Sequence, residues 1–408
     1  MARHPFRTVV LSAALFAALA TQLSGCTAPE QQPQPIAAAP PPAAMPLPPP
    51  SPPPIAQQPA VPTPIEAVTN GRAKVALLVP LTGPNSTVGQ AMLDAANMAL
   101  FDVATDIALL PRDTGSTADG AGAAAGRAVS DGAGLILGPV FSGEAGRVRD
   151  ALNGSPVSAI VYSTDVSVAG GNVFAMGFLP TQQVDRVVGF AKSRGMTKLA
   201  ALVPDNAYGV AVTAEIQALQ GRLGLAPPRI LKLTRDVKGQ LATLADDPPQ
   251  MLLVALGSDQ LVGIAPAIGE FAQAHPIQLL GTGLWADDPN LWQVPALSGS
   301  WYAAPEPGNF NQFAQRFQTT YNYKPPRIAS LAYDSVALAA SVSRGAAANL
   351  NPFSRDVLLQ PNGFIGIDGG FRFLPTGLSE RNLAVLALGA DGPTVVDAAP
   401  ASFQPLTQ

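Results

Sequence analysis

The chain is short of the side chains on which most enzymatic chemistry depends. Its 408 residues include one cysteine and two histidines. His4 falls within an N-terminal leader, so His275 stands alone in the rest of the chain. A zinc site built from cysteine and histidine clusters therefore has no ligand set in one chain. His275, in Ala274-His275-Pro276, reads as a loop residue before a strand. With Cys26 the only thiol, the fold does not rest on an internal disulfide. Aromatic residues make up 6% and charged residues 13%, and no block of Lys and Arg interrupts a net charge of -4. A basic stripe for nucleic acid is thereby excluded. Neither a Gly-x-Ser-x-Gly elbow nor a Ser-x-x-Lys pair occurs, and no carboxylates are paired for acid–base work. These absences lead us to expect no enzyme, no cofactor and no metal.

What is present begins with Arg3 and Arg7, followed by the apolar run Val9 to Ala20. Twelve residues of helix rise only about 18 Å, short of the roughly 30 Å hydrocarbon core of a bilayer. This pattern reads as a secretory signal over residues 1–25. Its end, Leu23-Ser24-Gly25-Cys26, resembles the bacterial lipobox, which implies lipidation of Cys26. Thr27 follows where an aspartate would favour retention at the inner membrane, so the resemblance implies an outer-membrane anchor with the protein facing the periplasm. Residues 26–71 then form a distinct stretch. Sixteen of the 42 prolines lie between Thr27 and Asn70, with Glu30 and Glu66 the only charges. Proline lacks the amide donor, so this segment is expected to be a disordered, extended tether reaching at most about 140 Å.

From Arg72 onward short apolar runs alternate with longer amphipathic ones. Lys74–Val79, Ile107–Leu110, Leu135–Leu137, Val157–Tyr162 and Val173–Phe178 read as strands, separated by helical patterns such as Gln90–Phe101 and Asp119–Asp131. The series restarts with a helix at Gln182–Arg194. Strands at Leu199–Val203, Ile230–Leu233, Leu252–Leu256 and Gln278–Leu280 follow, with helices at Val210–Leu223 and Gln260–Ala274. Such alternation predicts α/β architecture, with mostly parallel sheets flanked by helices in two lobes separated by a cleft. Lobe 1 is assigned residues 72–178 and 307–361. Lobe 2 takes 179–306 and 362–396, and 397–408 is a tail.

Several phrases carry a family resemblance. They are Pro80-Leu81-Thr82-Gly83, Gly138-Pro139-Val140-Phe141-Ser142 and Pro204-Asp205-Asn206-Ala207-Tyr208-Gly209, then Ala332-Tyr333-Asp334 on a helix. Gly363-Phe364-Ile365-Gly366, with Phe371-Arg372-Phe373 and Gly377, looks like a closing hairpin. In this order they resemble the type 1 periplasmic-binding fold of leucine/isoleucine/valine-binding proteins. Leu110–Gly115, Met176–Pro180 and Leu280–Trp285 are similar to penicillin-binding protein activator lipoproteins, in particular a short proteobacterial form. The long activators carry a helical-repeat domain where this chain has its proline tether. The resemblance implies a regulator of peptidoglycan synthesis that docks on a penicillin-binding protein. The alternative is a solute receptor that delivers an amino acid or similar metabolite to an ABC transporter.

Open parallel sheets bind ligands beyond the carboxyl ends of their strands. That rule selects Thr82, Ser142, Ser163, Thr164, Asp165, Tyr208, Ser258, Asp259 and Trp285 as cleft residues. Ser142 and Thr164 would donate hydroxyls to a carboxylate. Asp259 or Asp165 would accept an ammonium, and Tyr208 or Trp285 would stack on the ligand. The competing reading is that these hydroxyls and acids cap the following helices. Gly281-Thr282-Gly283 mimics a dinucleotide-binding loop, but Asp287-Asp288 follow where phosphate would sit, which argues against a nucleotide.

Overall fold

The computed structural model describes residues 72–103, 106–345 and 351–404. The expected signal peptide, the lipidation of Cys26, the tether at 26–71 and the last four residues of the tail lie outside the described residues.

The first sheet holds β1 (Ala73–Val79), β2 (Ile107–Asp113), β3 (Leu135–Leu137), β4 (Ser158–Val161) and β5 (Val173–Ala175) in the order β2-β1-β3-β4-β5. Every pairing is parallel. Helices α1 (Ser86–Val103), α2 (Ala118–Ser130) and α3 (Ser142–Ala151) supply the crossovers. The strands read as continuous apolar runs because both faces are covered. On one face, Leu77 and Val79 pack with Met92 and Ala96 of α1; on the other, Ala76 and Leu78 pack with Ala121 and Ala125 of α2. Thr117 starts α2 by accepting a hydrogen bond from the Gly120 amide at 3.1 Å.

The second series runs α4 (Pro180–Ser193), β6 (Leu199–Val203), α5 (Ala207–Leu223), β7 (Arg229–Lys232), α6 (Val237–Ala242), β8 (Met251–Val254), α7 (Ser258–Ala274), β9 (Gln278–Gly281), α8 (Pro289–Trp292) and β10 (Trp301–Ala304). The chain then returns to the first lobe with α9 (Pro307–Tyr321), α10 (Ala329–Gly345) and α11 (Arg355–Leu358), followed by β11 (Phe364–Gly366), β12 (Gly369–Phe373) and β13 (Ser379–Arg381). It ends with β14 (Ala384–Ala387) and β15 (Thr394–Asp397) in the second sheet. That sheet has seven strands in the order β15-β14-β10-β9-β8-β6-β7, all parallel except β14, which pairs antiparallel with both β10 and β15. Both lobes use one device at the end of their first strand. The backbone carbonyls of Pro80 and Pro204 sit where a Cβ of Gly89 or Gly209 would be, so only glycine lets α1 and α5 approach so closely.

The two-lobed α/β architecture matches the expectation, and β3 and β6 begin and end at the residues anticipated. Several details differ. Strand β5 stops at Ala175 rather than Phe178, because the chain leaves the sheet there to cross between the lobes. The sequence reading passed over α6, α9 and β10. The segment assigned to lobe 2 from residue 362 divides. Phe371 and Phe373 lie in the first lobe's core, with the Phe373 ring 5.0 Å from Phe174, and the second sheet resumes only at Ala384. The expected tail from 397 is also tied down as far as it is described. Asp397 pairs with Arg186 at 2.5 Å, and the Gln404 carbonyl accepts from Arg372 at 2.8 Å.

Candidate functional site: the interlobe cleft

On the first lobe, the ends of β1 and β2 are joined by one carboxylate. Asp113 accepts from the Leu81 amide at 2.8 Å, the Thr82 amide at 3.1 Å, the Thr82 hydroxyl at 2.6 Å and the Gly115 amide at 2.8 Å. Burial works to raise the Asp113 carboxyl, but these bonds outweigh it and hold it below its ordinary value. Thr82 is therefore exposed, yet its hydroxyl proton is already engaged. Ser142 is exposed as the first residue of α3, and the preceding Phe141 offers no capping side chain. Beneath it lies Glu144, 3% exposed. Burial raises its carboxyl against the Thr114 hydroxyl, at 3.3 Å, and the amides of Phe141 and Val140.

The end of β4 splits the predicted trio. Ser163 is buried and accepts from the Asp165 amide at 2.9 Å. Asp165 itself caps the turn at Val166–Val168, accepting from the Ser167 amide at 2.9 Å and the Ser167 hydroxyl at 2.7 Å. Here the capping reading fits the geometry, and this acid is engaged within its own loop. Thr164 remains exposed.

On the second lobe, Tyr208 donates to the Thr282 hydroxyl at 2.8 Å, joining the ends of β6 and β9. Burial pushes the phenol up to about 12, with the Thr282 bond opposing. Beside it the Gly283 amide donates to Gln183 Oε1 at 2.9 Å. Trp285 lies in the core rather than in the cleft where the sequence placed it. It is fully buried in the second lobe's core, its indole N–H donating to the Leu256 carbonyl at 2.9 Å and its ring packed over Gly281. Burying the whole indole with its one donor satisfied is the more stable placement, and it leaves no face of the ring exposed to the cleft. Ser258 and Asp259 open α7, with Ser258 half-buried and Asp259 exposed in the first turn, where the helix N-terminus favours its charge.

The crossings between the lobes add residues that the sequence reading did not single out. Phe178 lies on the first crossing, with the guanidinium of Arg381 5.1 Å and that of Arg327 5.8 Å from its ring. Arg381 is 6% exposed and donates to the Met176 carbonyl at 3.3 Å, while its Nε and one terminal nitrogen have no partner. Nearby Asp334 accepts from the Ile367 amide at 2.8 Å. Burial, then the charge of Asp368, pushes its carboxyl up to about 7. Two of the overlooked residues had a sequence signal. Asp113 stands two residues before Gly115 at a strand end, an Asx-turn pattern, and Glu144 falls three residues after the helix cap. Arg327 and Arg381 had none, since their partners are remote in sequence.

The expected residues thus lie at strand ends, with Ser142 and Thr164 exposed on the first lobe and Asp259 exposed on the second, and charged groups lie near the crossings. Among the described residues, no group of three His, Cys, Asp or Glu side chains is placed to hold a metal ion.

Comparison with known proteins agrees with this architecture. A Rhodospirillum rubrum protein assigned to branched-chain amino acid ABC transport superposes with a TM-score of 0.70 at 18% identity, covering 80% of this chain and 100% of its own. A leucine-, isoleucine-, valine-, threonine- and alanine-binding protein from Brucella ovis, in a closed conformation, gives 0.63 at 15% identity over 82% and 95%. An uncharacterised protein from Rickettsia prowazekii is 24% identical over 144 residues, a stretch that spans 35% of this chain and 38% of the Rickettsia protein. The model of the periplasmic binding protein family matches residues 72–357, and the chain belongs to that family.

Proposed function

We propose that this chain is a non-enzymatic, lipid-anchored periplasmic regulator that activates peptidoglycan synthesis by a penicillin-binding protein. The lipobox-like Cys26 and the proline tether support placement on the outer membrane, with the folded part held off its surface. The observation that carries the reading is the state of the cleft. Most of the ring and charge that a closed solute site would use is engaged internally: Trp285 in the core, Tyr208 on Thr282, Asp165 on Ser167 and Thr82 on Asp113. Such a binding fold is suited to acting through its surfaces. Cross-linking in cells, followed by an assay of glycan synthesis with and without the mature protein, tests this. Contact with the synthase and a faster rate are expected; no contact and no rate change would end the reading.

A solute receptor is the second reading. Ser142, Thr164 and Asp259 stay exposed at strand ends of the two lobes, and the superposing Brucella protein binds amino acids. Ligand-dependent thermal stabilisation separates the two. A receptor at 100 times its dissociation constant gains about 2.7 kcal/mol.

A further inference from the structure

We infer that Arg327 is a clamp that sets the angle between the lobes, bound firmly to the first lobe and releasably to the second. Arg327 lies just before α10, in the first lobe, and one of its terminal nitrogens donates to Asp368 at 2.5 Å. Asp368, between β11 and β12, is fully buried, and its other oxygen accepts from the Ser330 hydroxyl at 2.5 Å. The guanidinium also lies 4.2 Å from the centre of the Phe310 ring, at the start of α9. Hydrogen bond, buried charge and ring all belong to the first lobe, so the cation moves with it. The other terminal nitrogen reaches across to Asp287, after β9 in the second lobe, and donates to both carboxylate oxygens at 3.0 Å.

The two halves of the clamp differ in environment. The Asp287 side chain is 39% exposed and that of Asp368 is 0% exposed. Water can replace the guanidinium at Asp287 but not at Asp368, where separation would leave a buried charge unpaired. Opening is therefore expected to break the interlobe pair and leave the intralobe pair intact. The clamp also sits where leverage is greatest. Arg327 faces Phe178 on the first crossing, and Phe310 follows the second crossing by a few residues. Rotation of the lobes about these segments is thus coupled to one solvent-accessible ion pair, giving an element whose two arrangements a ligand or partner in the cleft could bias.

Hydrogen–deuterium exchange on the full chain with Asp287→Asn tests the clamp. Amides of the crossings, Gly177–Leu179, Glu306 and Asn382–Leu383, are expected to exchange about tenfold faster, while β1 and β8 keep their protection. Arg316→Gln, which breaks the ion pair to Asp102 on the first lobe alone, is expected to leave the crossings unchanged. Unchanged crossing exchange in Asp287→Asn would overturn the inference. So would an equal acceleration in β1 and β8, which would make Asp287 a general stabiliser of the fold. An equal loosening of the crossings by Arg316→Gln would also overturn it.

Discussion

Val75 to Val79 in β1 and Met251 to Val254 in β8 are apolar and fully buried, whereas the buried positions near the crossings hold Asp334, Asp368 and Arg381. The sheets follow the simplest rule of folding, removing apolar surface from water at about 25 cal/mol per Å². Near the crossings, ionisable groups sit where desolvation opposes their charge, and a few hydrogen bonds and opposite charges hold them. Not every atom there is paired: the second oxygen of Asp334 and two nitrogens of Arg381 lack partners. A region built this way costs stability but has more than one electrostatic arrangement available. The sheets have one, so motion is expected at the crossings before it is expected within the lobes.

The largest expected effect probes the rigid side. Trp285→Ala removes a fully buried indole from the second core and is expected to cost about 3–5 kcal/mol in chemical denaturation. A loss below about 1 kcal/mol would mean that the indole is not a core element, and the cleft-facing role would return.

The next effect probes the crossings through pH. Asp334 is held protonated in the folded protein up to about 7, against an ordinary value of 3.8. Between these values the unfolded chain has released the proton and the folded chain retains it. Stability is therefore expected to fall as pH rises from about 4 to about 7, the unfolded state binding fewer protons in that window. Asp334→Asn keeps an acceptor for the Ile367 amide and removes the titration. Melting temperatures across this range should be flatter for the variant than for the wild type. Parallel curves would show that this carboxyl does not contribute.

The smallest effect concerns the second lobe's strand ends. Tyr208→Phe deletes one partly buried hydrogen bond to Thr282 and is expected to cost about 1 kcal/mol, measured by denaturant midpoint at constant slope.

How much of this was legible in the sequence follows from the range of each interaction. β3 and β6 could be bounded because each is a short apolar run ended by Gly138-Pro139 or Pro204-Asp205, a local signal. The cap at Asp165 was visible as a competing reading for the same reason, since Ser167 is two residues away. Trp285 was placed wrongly because an aromatic residue just past a strand can turn toward either cleft or core. The Leu256 carbonyl that favours the core is 29 residues away. The Asp113 tie to Thr82 and the Arg327 tie to Asp287 span 31 and 40 residues, and neither follows any periodicity. The division of 362–396 was hidden similarly, because the rings of Phe371 and Phe373 find their core only once Phe174 is in place.

Trp285, Tyr208 and Asp165 are each engaged within their own lobe rather than free to meet a ligand. Thermal unfolding of the mature chain with the common amino acids, each raised to millimolar concentration, tests this most directly. A melting temperature that stays constant across the series is the expected result. A saturable rise with any of them, approaching the roughly 2.7 kcal/mol of a site filled at 100 times its dissociation constant, would contradict it and make the protein a solute receptor.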